Sequence, residues 1–173
     1  MTAGPRPEDV GAHSARLMDG LRAFGANYTE FTGRFATWLG LHSTDATALV
    51  EILYAEDKGT PLSPSQVGER LALTSGATTN LLNRLERLGH IVRTREHADR
   101  RIVTLRSSSR IEGPAREFFA ALSSRLDSLV AQYPPEQLDE FDGFLRRLRD
   151  TMNDLLAEPV PPRTPGEGEV EGS

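Results

Sequence analysis

The chain has 173 residues, 38% of them hydrophobic, no cysteine and a formal net charge of −5. That length fits one domain, or one domain shared between two intertwined subunits. Without cysteine there are no disulfides, thiolate metal sites or thiol redox switches, and no apolar run approaches the ~20 residues of a membrane-spanning helix.

The first residues, Met1-Thr2-Ala3-Gly4-Pro5-Arg6-Pro7, hold no basic region followed by an apolar stretch. They do not read as a signal peptide, and the expectation is a soluble, cytoplasmic protein. Gly4, Pro5 and Pro7 break regular structure, so residues 1–9 are expected to form a flexible arm. From about Val10 to Leu39 the pattern is helical, and Gly40 ends it: Leu17, Leu21, Phe24, Tyr28, Phe31, Phe35 and Trp38 recur in alternating steps of four and three. So long an aromatic stripe calls for a large partner surface, and its rings can also line a ligand pocket.

After Gly40, Ser43 or Thr44 offers an N-cap, Asp45 suits the positive end of the helix dipole, and Ala48, Leu49, Ile52 and Leu53 supply an apolar face. Ser63-Pro64-Ser65-Gln66 has the form of a capping box opening a short helix with Val67, Leu71 and Leu73 inward. The chain then turns at Ala72-Leu73-Thr74 into a segment with two distinct faces. Ala77, Leu81, Leu85 and Leu88 fall on one face; Ser75, Thr79, Asn80, Asn83 and Arg87 fall on the other. Gly89 closes this helix. Ile91–Arg95 and Arg101–Leu105 then read as two short strands around the tip Glu96-His97-Ala98-Asp99-Arg100.

Two short helices on a tight turn, followed by a basic hairpin, form a winged helix-turn-helix. Charge agrees: residues 62–110 hold nine arginines against Glu69, Glu86, Glu96 and Asp99, a local +5 that leaves −10 elsewhere. A basic patch on an acidic body is the footprint of a nucleic-acid binder.

From Ser108 or Ser109 a long helix runs to about Tyr133, with Ala115, Phe118, Leu122, Leu126 and Leu129 as its stripe. Pro134-Pro135 interrupt it, and Glu136 opens a last helix carrying Leu138, Phe141, Leu145, Leu148, Met152 and Leu155. Residues 158–173 lack any core pattern and are expected to be disordered. The expected fold is therefore mainly α with a small β-hairpin wing. A winged helix-turn-helix lobe (41–108) joins a helical dimerisation region (10–40 and 109–157). The terminal stripes exceed what that lobe can cover, and a two-fold dimer would space two recognition helices about 34 Å apart, one turn of DNA.

Leu62–Leu71, then Ser75-Gly76-Ala77-Thr78-Thr79 with Arg84-Leu85-Glu86-Arg87-Leu88-Gly89-His90-Ile91, then Asp99-Arg100-Arg101, together resemble the multiple-antibiotic-resistance regulator (MarR) family. The resemblance spans roughly residues 10–157. It implies a homodimeric transcriptional regulator, usually a repressor, that binds a pseudo-palindromic operator and is often released by a small aromatic ligand. The family's pattern departs here at Leu105-Arg106-Ser107-Ser108: Ser107 stands where a buried leucine is expected, which points to a looser or re-registered junction.

Ser75, Ala77, Thr79, Asn80 and Asn83 are the candidates for the major groove, where asparagine can bond adenine N6 and N7. Ser63 and Gln66 are caps first and phosphate contacts second. Arg84 is either a phosphate contact or a partner for Glu86 or Glu69. Arg101 resembles the family's minor-groove arginine, and Arg95 and His97 are weaker wing contacts. Asp99 would pair with a nearby arginine and shape the tip, and Arg100 fits either role. By the family's pocket position, Phe31, Phe35, Trp38, His42 and Phe118 are candidate ligand contacts.

His13, His42, His90 and His97 share no metal-ligand spacing, and there is no GxSxG or P-loop. No metal, cofactor or enzymatic activity is expected. Two other readings remain: a sequence-indifferent or architectural DNA binder, and a winged-helix protein-interaction module.

Overall fold

The computed structural model describes residues 7–95 and 103–160. Its elements are α1 (Pro7–Leu39), α2 (Ser43–Asp57), α3 (Pro64–Arg70), α4 (Ser75–Arg87), β1 (Ile91–Thr94), β2 (Thr104–Ser107), α5 (Ser109–Val130) and α6 (Pro135–Ala157). This is the expected mainly helical chain with one antiparallel hairpin. The wing tip with His97, Asp99, Arg100 and Arg101, the first six residues, and residues 161–173 lie outside the described residues.

The chain divides into two compact units, one ending at Ala120 and the other beginning at Ala121. In the first, a single core gathers Phe35 and Ala36 of α1 with Ala46, Ala48, Leu49, Ile52 and Ala55 of α2, Leu62, Val67 of α3, and Leu81, Leu82 and Leu85 of α4. Ile91, Leu105, Ile111 and Ala115 complete it. Burial of this kind stabilises by about 25 cal/mol per Å² of apolar surface removed from water. The N-terminal part of α1 takes no share: Leu17, Phe24 and Tyr28 are 41–59% exposed. In the second unit, α6 buries none of its residues, and its largest ring contact is Phe141 against Tyr133 at 5.6 Å.

Local chemistry accounts for the helix boundaries. Ser63 Oγ accepts from Gln66 N (3.4 Å) while Gln66 Oε1 accepts from Ser63 N (2.8 Å), the reciprocal capping box expected. Thr74 caps α4 by accepting from Ala77 N at 3.3 Å. At α2, however, the capping position is His42, with no side-chain bond, and Ser43 and Thr44 are already helical. Asp45 is then buried rather than facing water at the helix start.

Helices α1, α2, α3 and α4 end the same way. A left-handed residue donates to a carbonyl three residues back, and its successor donates five residues back, as in Gly89 N to Glu86 O (2.9 Å) and His90 N to Leu85 O (2.9 Å). Glycine fills the left-handed position at 40, 59 and 89; after α3 it is Ala72, with φ 51°.

The hairpin pairs Ile91 with Ser107 and Thr94 with Thr104, so β2 as described runs Thr104–Ser107, two residues beyond the expected end at Leu105, while the expected start at Arg101 lies outside the described residues. Leu105 N also donates to Leu62 O at 2.8 Å, binding the strand to the loop before α3. Nor is the wing junction loose at Ser107. Its amide and hydroxyl both donate to Glu56 Oε2, at 2.8 and 2.6 Å, and Arg106 reaches the same carboxylate. A buried serine with both polar groups satisfied replaces the packing a leucine would supply.

The helix-turn-helix angle depends on Gly68 of α3. A Cβ there would stand 2.7 Å from Thr78 Oγ1 of α4, a side chain already bonded to Thr74 O. Gly68→Ala should therefore lower stability by about 1–3 kcal/mol through overpacking. Ala72→Gly should raise it by about 0.5 kcal/mol by relieving the left-handed alanine, part of the gain being offset by glycine's unfolded-state freedom. Denaturant midpoints of the two variants should move in opposite directions, and a shift of the same sign in both would contradict this account.

Candidate nucleic-acid interface

The outward surface of α4 follows from what its inward face must bury. That inward face is Thr78, Leu81, Leu82 and Leu85. The expected face is thus rotated: Ala77 is exposed, and Leu88, the C-cap residue, is 42% exposed. Thr78 can be buried because its hydroxyl donates to Thr74 O at 3.0 Å, which removes the cost of an unpaired polar group.

Ser75, Ala77, Thr79, Asn80, Asn83 and Arg87 therefore line one exposed side of a well-anchored helix. Thr79 Oγ1 donates to Ser75 O at 2.8 Å and keeps its lone pairs free. The side chains of Ser75, Asn80 and Arg87 make no hydrogen bond or ion pair among the described residues. Arg95, just past β1, is also exposed. Ser63 and Gln66 sit together at the start of α3 and spend part of their hydrogen-bonding capacity on the capping box. Together these side chains offer donors, acceptors and guanidinium cations, the groups that meet base edges and phosphates.

Two of the predicted contacts are engaged within the protein. Arg84 turns toward α2, where Nε and Nη2 bond Asp45 Oδ2 and Oδ1 at 2.6 and 2.5 Å, so its partner is neither Glu86 nor Glu69. The hydrogen bond to Asp45 raises the guanidinium's pKa further above its ordinary value. Asn83 Oδ1 accepts from Arg93 Nη2 at 2.9 Å, and Arg93 Nη1 pairs with Glu86. Nothing in the local sequence marks Arg93 as a site residue; its contact with the end of α4 is made only by the tertiary fold.

At the exit of α4, His90 Nδ1 is buried with no partner among the described residues. Burial, and then the positive charge of Arg110, push its pKa below the ordinary histidine range. Ser108 stitches this exit to the start of α5, its amide donating to His90 O at 2.9 Å and its hydroxyl to Gly89 O at 2.5 Å.

Phe31, Phe35, Trp38 and Phe118 do come together, with ring centroids 5.0–6.2 Å apart where they touch. Phe119 joins the cluster, 5.0 Å from Phe35. Phe119 falls four residues after Ala115, the helical step that could have placed it on the stripe. Phe35 is fully buried, Trp38 half exposed, and beside them Glu30, Gly33, Arg34 and Thr37 border a shallow groove. His42 stands exposed at the start of α2 with no ring contact. Among the described residues there is no cluster of metal-ligating side chains, and no helix is long and apolar enough to cross a membrane.

Residues 39–102 match the family model described as MarR family. Over 135 residues the chain is 27% identical to the uncharacterized HTH-type transcriptional regulator YcgE of Bacillus subtilis (strain 168), covering 78% of this chain and 85% of that protein. It is 28% identical over 132 residues to the HTH-type transcriptional regulator SarZ of Staphylococcus aureus (strain USA300), covering 76% and 80%. Among solved structures it resembles Streptococcus pneumoniae FabT in complex with DNA, with a TM-score of 0.55, 25% identity, and coverage of 82% of this chain and 99% of that one.

Two measurements check this geometry. Arg84→Met would strand the Asp45 carboxylate in the core, so it should lower Tm by several degrees, and adding Asp45→Asn should recover part of that loss. Recovery of nothing would show that the pair is not coupled. For His90, a depressed folded-state pKa means that its contribution is complete above the unfolded value of about 6.5 and is lost as pH falls through the folded value. Stability from about pH 7 to pH 5 should fall more steeply for the native chain than for His90→Gln, measured by urea unfolding.

Proposed function

We propose that this chain, whose residues 39–102 match the MarR family model and which is 27% identical to an HTH-type transcriptional regulator, is a DNA-binding transcriptional regulator that acts as a homodimer on a pseudo-palindromic operator. Helix α4 enters the major groove, and the wing arginines, Arg95, Arg100 and Arg101, follow the minor groove and backbone. The observation that carries this reading is the exposed row Ser75, Thr79, Asn80, Asn83 and Arg87 on a helix whose other side is locked into the core. Base-reading groups act through a rigid carrier, because a loose helix would pay its ordering cost at binding.

The dimer is supported by apolar surface left open in each unit, on α1 at Leu17, Met18 and Phe24 and on α6 at Phe141, Leu145, Met152 and Leu155. Monomeric proteins rarely leave such large stripes to water. Bound at an operator that overlaps a promoter, such a dimer would act as a repressor. Release by a small aromatic ligand is supported by the half-exposed Trp38 at the edge of the five-ring cluster. Ligand contact is assigned to Phe31, Trp38 and Phe118, with Phe35 as the buried wall behind them.

The full-length chain should prefer duplex from the intergenic region beside its own gene over random duplex by roughly 10³-fold or more. Its affinity should fall by about 10³-fold or more between roughly 50 and 200 mM salt as phosphate counterions are released. Asn80→Ala and Arg101→Ala should each weaken operator binding about tenfold. Equal binding to random duplex would favour the architectural reading, and no binding at low salt would favour a protein-interaction module.

A further inference from the structure

The two asparagines of the recognition helix are chemically identical in the sequence, but the fold gives them different things to show. Reading adenine takes both halves of an amide: Oδ1 accepts from N6 while Nδ2 donates to N7. Asn80 has no side-chain hydrogen bond among the described residues, so both halves face outward unspent. Asn83 differs, because Arg93 Nη2 already donates to its Oδ1 at 2.9 Å. Arginine has donors and no acceptor, so only the amide oxygen can face it, and the orientation is set by chemistry. Glu86, one turn beyond Asn83 on α4, pairs with the other arm of Arg93 and holds the guanidinium in place. A second donor could approach the oxygen's remaining lone pair only beside that cation, where the positive end of an N–H group is disfavoured.

We infer that Arg93 is a specificity-positioning residue: by occupying Asn83 Oδ1 it makes position 83 a pure hydrogen-bond donor, matched to an acceptor on duplex DNA and without the two-bond pairing that singles out adenine. The acceptor is a base-edge atom (guanine O6 or N7, adenine N7, thymine O4) or a phosphate oxygen, and guanine, with two acceptors and no donor on that edge, suits a pure donor better than adenine does. Arg93 sits on β1, so the same guanidinium ties the reading face of α4 to the wing. The inference rests on the DNA-reading role proposed above.

The test carries the full-length chain and its Arg93→Lys, Asn83→Ala and double variants through selection from a random duplex pool. The Kd of each is then measured on the sequence that the native chain enriches, with thermal melting as the check on folding. Arg93→Lys preserves the charge but not the two-armed geometry. It should weaken binding about tenfold or raise the share of adenine relative to guanine at one position per half-site. In the Asn83→Ala background the same substitution should change neither quantity. Glu86→Gln, which frees Arg93 without touching Asn83, should shift selection in the same direction as Arg93→Lys. A change confined to one position identifies a base edge, and uniform weakening across all duplexes identifies a phosphate.

An equal effect of Arg93→Lys in both backgrounds, no effect in either, or adenine enriched over guanine opposite Asn83 by the native chain overturns the inference while leaving DNA reading intact. A native chain that enriches no sequence overturns the sequence-reading role itself, and this inference with it.

Discussion

The bidentate pair between Asp45 and Arg84 is the constraint on which the reading face depends. Asp45 is 1% exposed, and its two oxygens take both arms of one guanidinium across 39 residues of sequence. A buried carboxylate is costly to desolvate, and its pairing roughly offsets that cost, so the gain lies in geometry more than in net stability. Rotating α4 about its axis would leave the carboxylate unpaired in the core. The pair therefore sets which side of α4 faces outward.

Helix α2 does this along its whole length. Asp45 near its start holds α4, Glu51 in its middle reaches Arg70 of α3 at 2.7 Å, and Glu56 near its end holds Arg106 and Ser107 of β2. Each carboxylate engages a different element of the helix-turn-helix and wing, so α2 serves as their common backbone. The contacts differ in weight. The Glu51 pair is exposed, where such pairs stabilise little, whereas the Glu56 carboxylate meets a backbone amide and a hydroxyl that would otherwise be buried unpaired. This arrangement also revises the meaning of the arginine-rich stretch. Arg70, Arg84, Arg93 and Arg106 are bound to carboxylates of the protein, and the +5 of residues 62–110 is divided between scaffold and surface.

What was legible in the sequence was whatever local spacing encodes. The Ser63–Gln66 box, the end of α4 at Gly89 and the aromatic stripe of α1 all depend on neighbours within one or two helical turns, and each is where the pattern put it. What was not legible depends on partners far along the chain. Nothing near Asp45 signals a guanidinium 39 residues away, so its dipole position was the only local reading available. Ala77 and Leu88 fit a hydrophobic wheel but not the true inward face, because the wheel gave a buried threonine no credit. Thr78 qualifies only through its bond to Thr74 O and its fit against Gly68. Ser107 misled for the same reason: a residue type was compared with an expected leucine, while Glu56, which satisfies it, lies 51 residues earlier.

The same architecture limits what the ligand proposed for the aromatic cluster could do to the proposed DNA-binding face. Phe35 is the one ring that is both in contact with the half-exposed Trp38 and fully inside the core that α2 and α4 share. A ligand at Trp38 alters DNA affinity only as far as it binds one arrangement of that core better than another. Close-packed interiors shift between discrete packings rather than deforming smoothly. Because the carboxylates of α2 hold α3, α4 and β2 at once, any repacking that displaces α2 must carry the exposed face of α4 and the base of the wing with it.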